Sequence, residues 1–310
     1  MQHLDAVPDL RTWSSWHLHV ETGAGQALDE ILREVVAPVA VRLADGQPDP
    51  RPWFFIRYWQ HGPHLRLRIA GLDAEQADSV TVALTGRMDP ALATLDAAQR
   101  MDQAGYAQVV AGLARAGEGG RSMAVGTLAP AGVLVQQYEP ETERYGGPAH
   151  LALSEQLFHS SSVAALRACL RRPGYAHHLN DGLEAMAATL SAWPGDRGLL
   201  LRQTRDGWSG FIRQAGLGDA AAVEEFAARK AEALAGVADQ LIAISRGAPT
   251  RWSAWTEPLA AACRRWLAEL GPARAAGIFS SHLHMMQNRL GVAAGREAFL
   301  AATLLKTLDL

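Results

Sequence analysis

The stretch WFFIRYWQHGPHLRLRI, residues 53–69, decides the fold. Two runs rich in aromatic and aliphatic residues flank QHGP, a turn signal, so the pattern predicts a hairpin with strands at 53–59 and 64–70. Strand side chains alternate between faces. Leu65, Leu67 and Ile69 therefore point one way, and His64, Arg66 and Arg68 the other. The preceding strand puts Trp53, Phe55, Arg57 and Trp59 on one face, and Arg57 joins the cationic face if the hairpin register permits. A solvated outer face is the plain reading of such a strand. Like charges held side by side are unfavourable, however, and an anion seated among them makes better sense of the arrangement.

Outward from the hairpin, Trp16–Val20 alternates as a strand does. Residues 26–43 carry apolar side chains at helical spacing, and Pro38 is expected to kink or end that helix. Helical patterns follow at 73–84 and 90–113. A Gly- and Ala-rich loop covers 117–131, and GVLVQQYEP reads as a strand closed by Pro140. Beyond residue 148 the spacing predicts helices at 149–158, 162–171, 178–192, 198–214, 219–245, 256–270, 274–290 and 295–308. Breaks are expected at Pro173, Pro194, Gly218, Pro249 and Gly271–Pro272. Strands first and helices later define an α+β class. An antiparallel-rich sheet in the N-terminal half is covered by helices, and a helix-rich C-terminal half follows. Residues 1–310 are expected to form one integrated unit, because the polar clusters come from both halves. The alternative is a division near 148 into 1–147 and 148–310.

The 310 residues carry a formal net charge of -3 and are 48% hydrophobic. That balance gives no global attraction to nucleic acid or an anionic membrane. Lys230 and Lys306 are the only lysines among 29 basic residues, so any anion site is built from Arg, which can hold a carboxylate bidentately. Cys169 and Cys263 lie far apart without a CxxC pair, which disfavours a disulfide framework and a zinc–thiolate site. The N-terminus shows no signal-like apolar run, and no window reaches the roughly 20 apolar residues of a membrane span. A cytoplasmic location is expected.

Two further clusters carry chemistry. In QQYEPETERYGGP, residues 136–148, Glu139, Glu141 and Glu143 flank Arg144 and Tyr145. Gly146 and Gly147 then permit positive φ and close backbone approach. A polar loop leading into a helix is the bland alternative. In SSHLHMMQNRLGV, residues 280–292, His284 and Asn288 share a helix face, with Gln287 and Arg289 near its edges. Histidine is the natural acid or base near neutral pH, though a packed histidine satisfied by a carbonyl is common. The HxH pairs His17/His19 and His282/His284, with adjacent His177 and His178, raise a metal reading. An HxH pair on a helix diverges by about 200°, and no HExxH or matched carboxylate accompanies them, so no metal is expected. GxxxxGK[ST], GxGxxG and GxSxG are all absent.

Taken in order, WFFIRYWQHGPHLRLRI, YEPETERYGG, the LF before a Ser-rich stretch and HMMQNRLG closely resemble the C-terminal domain family of lantibiotic dehydratases, also called the thiopeptide-type bacteriocin biosynthesis family. The likeness runs from about Trp16 to Gly291. It implies removal of glutamate from glutamylated Ser or Thr of a precursor peptide, giving dehydroalanine or dehydrobutyrine. It also implies a stand-alone protein working beside a separate glutamylating protein that uses glutamyl-tRNA, and it makes a homodimer plausible. The arginines of the family's HxRxR strand match Arg66 and Arg68, that of its ERYGG motif matches Arg144, and the histidine of its HMxxNRL motif matches His284 rather than His282. Arg57, His64, Tyr145, Asn288 and Arg289 are expected to bind substrate around them. One departure is visible: Ser161–Ser162 stands where the family often has Asp-Ser, and Ser can still cap a helix.

The implied chemistry fits these residues. The α-proton of an acylated serine is weakly acidic, so a base must take it while positive charge stabilises the developing enolate. His284 is expected to do the proton work; Arg66, Arg68 and Arg144 are expected to hold the glutamyl carboxylate and the developing charge. No cofactor is implied. Two alternatives stand: a thiopeptide pyridine synthase, joining two dehydroalanines in a formal [4+2] cycloaddition with loss of the leader peptide, and a non-catalytic peptide-binding scaffold.

Overall fold

In the computed structural model, residues 12–22, 26–44, 51–95, 100–117, 122–171 and 174–310 are described. Residues 118–121 of the expected loop, residues 96–99 of an expected helix and the expected break at Pro173 lie outside them. The hairpin forms as its sequence predicts, from β2 (Trp53–Tyr58) and β3 (His64–Ala70). His61 and Gly62 turn the chain with positive φ. With β1 (Trp13–His19) and β4 (Gly132–Gln136) they make one antiparallel sheet of order β2–β3–β1–β4. Leu65, Leu67 and Ile69 are fully buried, on the face where Trp16 Nε1 donates to Thr81 Oγ1 of α3 (Ala74–Ala93) at 2.8 Å.

The register corrects one expectation. Arg57 pairs with Leu65, whereas Ile56 pairs with Arg66 and Phe54 with Arg68. Directly paired residues share a face, so the Arg57 side chain leaves on the apolar side, away from Arg66 and Arg68. There it meets the Asp29 carboxylate at 2.8 Å.

Asp29 belongs to α1 (Ala27–Ile31), which runs through a π turn (Leu32–Val36) into α2 (Ala37–Ala44). Pro38 was expected to kink or end this helix. Instead the helix continues across it, with the widened turn just before the residue that lacks an N–H. Pro90 likewise lies within the last turn of α3 rather than starting a helix. The next helix is α4 (Gln103–Ala116).

Helices make up the rest: α5 (Pro148–Arg171), α6 (Tyr175–Leu190), α7 (Arg197–Ala215), α8 (Ala220–Ala233), α9 (Ala238–Ser245), α10 (Ser253–Leu270), α11 (Pro272–Arg289) and α12 (Arg296–Thr307). Asp73, Asp102, Asp196 and Asp219 cap α3, α4, α7 and α8 by accepting a backbone N–H three residues on, satisfying a donor the first turn leaves orphaned. The two helices expected at 149–158 and 162–171 are one. Ser161 does not start a helix; its Oγ donates to the carbonyls of Leu157 and Phe158 inside α5. A main apolar cluster runs from Trp16 of β1 to Leu304 of α12. A smaller one joins α7, α8 and α12 through Ile212, Val223, Ala227, Ala298 and Ala302. No helix among the described residues is long and apolar enough to cross a membrane.

The outer edge of β2 is closed by side chains. The N–H groups of Phe55 and Arg57 donate to Ser162 Oγ at 3.2 Å and Asn288 Oδ1 at 2.9 Å, and that of Trp53 lies 3.2 Å from His159 Nδ1. An edge strand's unpaired donors invite another chain; here α5 and α11 answer each of them.

Candidate functional site

The cationic face of the sheet forms one wall of a cleft of about 1140 Å³, with α7 and α11 opposite. Arg66, Arg68, Arg144, Tyr145, His284, Asn288 and Arg289 all line it. Three separate sequence clusters therefore meet at one place. Arg57 borders the cleft, but its guanidinium is engaged by Asp29. His64 lies apart, in a smaller cavity of about 330 Å³ with His17 and His19.

His64 and Arg68 are only 1% and 7% exposed, so the solvated-face reading does not hold for them. Arg66 stacks on Tyr58 with 3.6 Å between guanidinium carbon and ring centroid, and its Nε donates to His64 Nε2 at 3.0 Å. His64 faces Gly62 O with its Nδ1 at 2.8 Å. Burial, followed by the charges around it, pushes its pKa down to about 2. A neutral imidazole thus serves as a fixed acceptor that orients Arg66.

Arg68 sits beside the rings of Tyr138 and Phe54 at 4.8 and 5.3 Å. Arg289 is 1% exposed, donates from Nε to Ser162 Oγ at 2.9 Å, and lies 5.4 Å from the Phe158 ring. Arg68 Nε and Arg289 Nη1 have no hydrogen-bond partner among the described residues. Burial pushes Arg68 down to about 10 and Arg289 down to about 9. Because a guanidinium resists deprotonation, this loss of solvation creates a demand for a counter-anion.

The ERYGG segment builds the third side. Gly146 and Gly147 take φ of 91° and 92°, as the double glycine predicts, and a Cβ on Gly146 would lie 2.9 Å from side chains of Ile278 and Leu270. The turn holds Arg144 against Ser281 Oγ at 3.1 Å and Glu141 Oε1 at 3.1 Å. Tyr145 is buried and packs on Phe158 and His282; burial raises its hydroxyl pKa to about 12.

The histidines of α11 divide as helical geometry requires. His282 is 1% exposed, stacks on Trp266 at 5.3 Å, meets Ser154 Oγ at 3.3 Å, and is held at a pKa of about 3, mainly by burial. His284 lines the cleft, with Nδ1 2.6 Å from Glu297 Oε1 and the Trp208 ring 4.8 Å away. Sequence reasoning missed Glu297, which sits on α12 with no motif around it. Asn288 uses both ends of its amide on the backbone of Arg57.

Two groups have spacing that metal ligation would use. Donor atoms of His17, His19 and His64 lie within 4.8 Å of one another, as do those of Asp29, Cys169 and His178. His17 and His19 share a face because they stand on a strand, not a helix. Both His64 nitrogens are engaged as above, and both Asp29 oxygens face Arg57 and His178 at 2.8 and 3.0 Å, whereas His19 Nδ1 has no hydrogen-bond partner among the described residues.

Among the described residues, His284 is the histidine of this arginine-walled cleft, which lies between a four-stranded antiparallel sheet and helices in an α+β protein. The family model described as the C-terminal part of lantibiotic biosynthesis dehydratase matches residues 13–308, and the chain belongs to that family. The pyridine synthase TbtD from thiomuracin biosynthesis is similar in structure, at 18% identity and TM-score 0.69 over 96% of this chain and 98% of that one. So is the tRNA-dependent lantibiotic dehydratase MibB from Microbispora sp. 107891, at 22% and 0.56, over 99% of this chain but 29% of MibB. TsrL matches at 16% and 0.62, over 97% of this chain and 96% of that one. No curated protein matches the sequence.

Proposed function

We propose that the protein removes glutamate from glutamylated Ser or Thr of a ribosomally made precursor peptide, leaving dehydroalanine or dehydrobutyrine. The observation that supports this best is one cleft holding His284 together with Arg66, Arg68, Arg144 and Arg289, two of these arginines being buried with unpartnered donors. His284 takes the α-proton. The Cα–H electron pair becomes the Cα=Cβ bond, the Cβ–O bond breaks, and glutamate departs as a carboxylate. Arg68 and Arg289 receive the free glutamyl carboxylate, while Arg66 and Arg144 stabilise the enolate and the departing carboxylate. Tyr145 shapes the wall beside them. His64, Arg57 and Asn288 act indirectly, by fixing Arg66 and the end of α11. The step is redox-neutral and calls on no cofactor. A separate glutamylating protein, drawing on glutamyl-tRNA in the cytoplasm, supplies the acylated peptide.

Cycloaddition is the second reading, favoured by the full-length likeness to a pyridine synthase. Mass spectrometry on a leader–core peptide bearing one glutamyl-serine separates the two. Loss of glutamate with formation of dehydroalanine is expected, and Arg66→Ala, Arg144→Ala and His284→Ala are expected to abolish it without unfolding the chain. Inertness on that peptide, with pyridine formation and leader release from a bis-dehydroalanine peptide, moves the assignment to cycloaddition. If the triple variant still supports reconstituted modification, the protein is a scaffold.

A further inference from the structure

Glu297 lies in the first turn of α12 and is 1% exposed. Its Oε1 meets His284 Nδ1 at 2.6 Å, and its Oε2 has no hydrogen-bond partner among the described residues. A buried carboxylate with one oxygen on an imidazole and the other unpaired is costly to keep. Its neighbours on α12, Ala298, Leu300 and Ala301, are buried and apolar, so the carboxylate is enclosed rather than solvated, beyond what the first-turn preference for an acid needs. The imidazole is also braced on another side by Trp208 of α7. The ring is thus fixed by a hydrogen bond at one nitrogen and by an indole against it.

We infer that Glu297 is a positioning residue for His284. It accepts the Nδ1–H, which selects the tautomer with a bare Nε2, and it turns that nitrogen into the cleft. When Nε2 takes a proton, the carboxylate supplies the counter-charge within the same pair. This matters because Arg66, Arg68, Arg144, Arg213 and Arg289 line the cleft and oppose a further cation, with only Glu139 and Glu141 of opposite sign along it among the described residues. A carboxylate behind a histidine base is a recurrent arrangement in acid–base catalysis, because a wrong tautomer presents N–H where a lone pair is needed.

The inference rests on His284 doing the proton work, and the test separates the two. Long-range ¹⁵N–¹H correlation of the folded protein reads the His284 tautomer without any turnover. Wild type is expected to show Nδ1–H and bare Nε2, and Glu297→Ala is expected to shift His284 toward Nε2–H. In steady-state elimination, Glu297→Gln is expected to lower kcat about 100-fold, the scale of a general base's contribution, with KM within about twofold. Glu297→Asp is expected to recover part of the loss. Wild-type His284 carrying Nε2–H, or Glu297→Gln turning over at the wild-type rate while His284→Gln is inactive, overturns the role of Glu297 alone. Full activity of His284→Gln overturns the reading beneath it.

Discussion

Asn288 is fastened to Arg57 as one strand is to its neighbour. Its Oδ1 accepts the Arg57 N–H at 2.9 Å, and its Nδ2 donates to the Arg57 carbonyl at 2.8 Å. One side chain of α11 thus stands in for a β-strand partner, and fixes the end of the helix that carries His284 to the sheet that carries Arg66. Asn288→Ala removes both bonds and leaves two backbone groups unsatisfied. The expected loss is about 2–3 kcal/mol, read from urea unfolding, with elimination falling as well. An unchanged midpoint would show that water replaces the amide.

A second clasp lies behind it. Asp29 receives Arg57 at 2.8 Å and His178 at 3.0 Å. Burial raises its carboxyl pKa, but the His178 hydrogen bond and the Arg57 charge outweigh this and hold it below its ordinary value. Its stabilisation is therefore complete above the unfolded value near 3.9 and is lost as pH falls through the lower folded value. Asp29→Asn at pH 7 is expected to cost about 3 kcal/mol, as breaking a buried pair does. Equal stability of variant and wild type at pH 7 refutes the clasp.

Histidines govern the acid side. His64 and His282, both 1% exposed, have folded pKa values of about 2 and about 3, burial being the largest cause for each. In the unfolded chain they titrate near 6.5. Below that pH the unfolded chain binds protons that the folded chain refuses, so stability falls as pH drops from about 6.5 toward the folded values. Each contributes up to about 1.4 kcal/mol per pH unit. Unfolding midpoints measured from pH 7 to 4 are expected to decline, and His282→Phe, set among Trp266, Tyr145 and Phe158, to flatten the decline. Parallel slopes would refute the assignment.

Arg289 is a buried cation whose Nη1 has no hydrogen-bond partner among the described residues. Arg289→Met is expected to raise the stability of the ligand-free protein by about 1 kcal/mol, since an uncompensated buried charge is replaced by an apolar chain. Free glutamate is expected to raise the melting temperature of the wild type and not of the variant. A wild-type response in the variant assigns the anion elsewhere.

Much of this was legible in the chain. The alternation of residues 64–69, the double glycine of ERYGG and the divergence of His282 from His284 follow from strand, turn and helix geometry, and the structure shows each. The side of the sheet that Arg57 takes was not legible, because it depends on hairpin register. Nor was the continuity of α5 through its serines: their hydroxyls fold back onto helix carbonyls, so residues that commonly end a helix stay within it. Glu297 was hidden for a different reason. It reaches His284 across a turn between two helices, and no periodicity links them.

The closed edge of β2 also sets an order of events. Its partners His159, Ser162 and Asn288 stand 106, 107 and 231 residues further along the chain. During synthesis the hairpin emerges long before them, and at about 5–20 residues per second the last partner follows only after about ten seconds or more. Through that interval the strand's donors are open to any neighbouring chain. Contacts of such long range also slow folding. Nascent chains stalled before residue 288 are therefore the species in which strand-to-strand association between copies is to be sought.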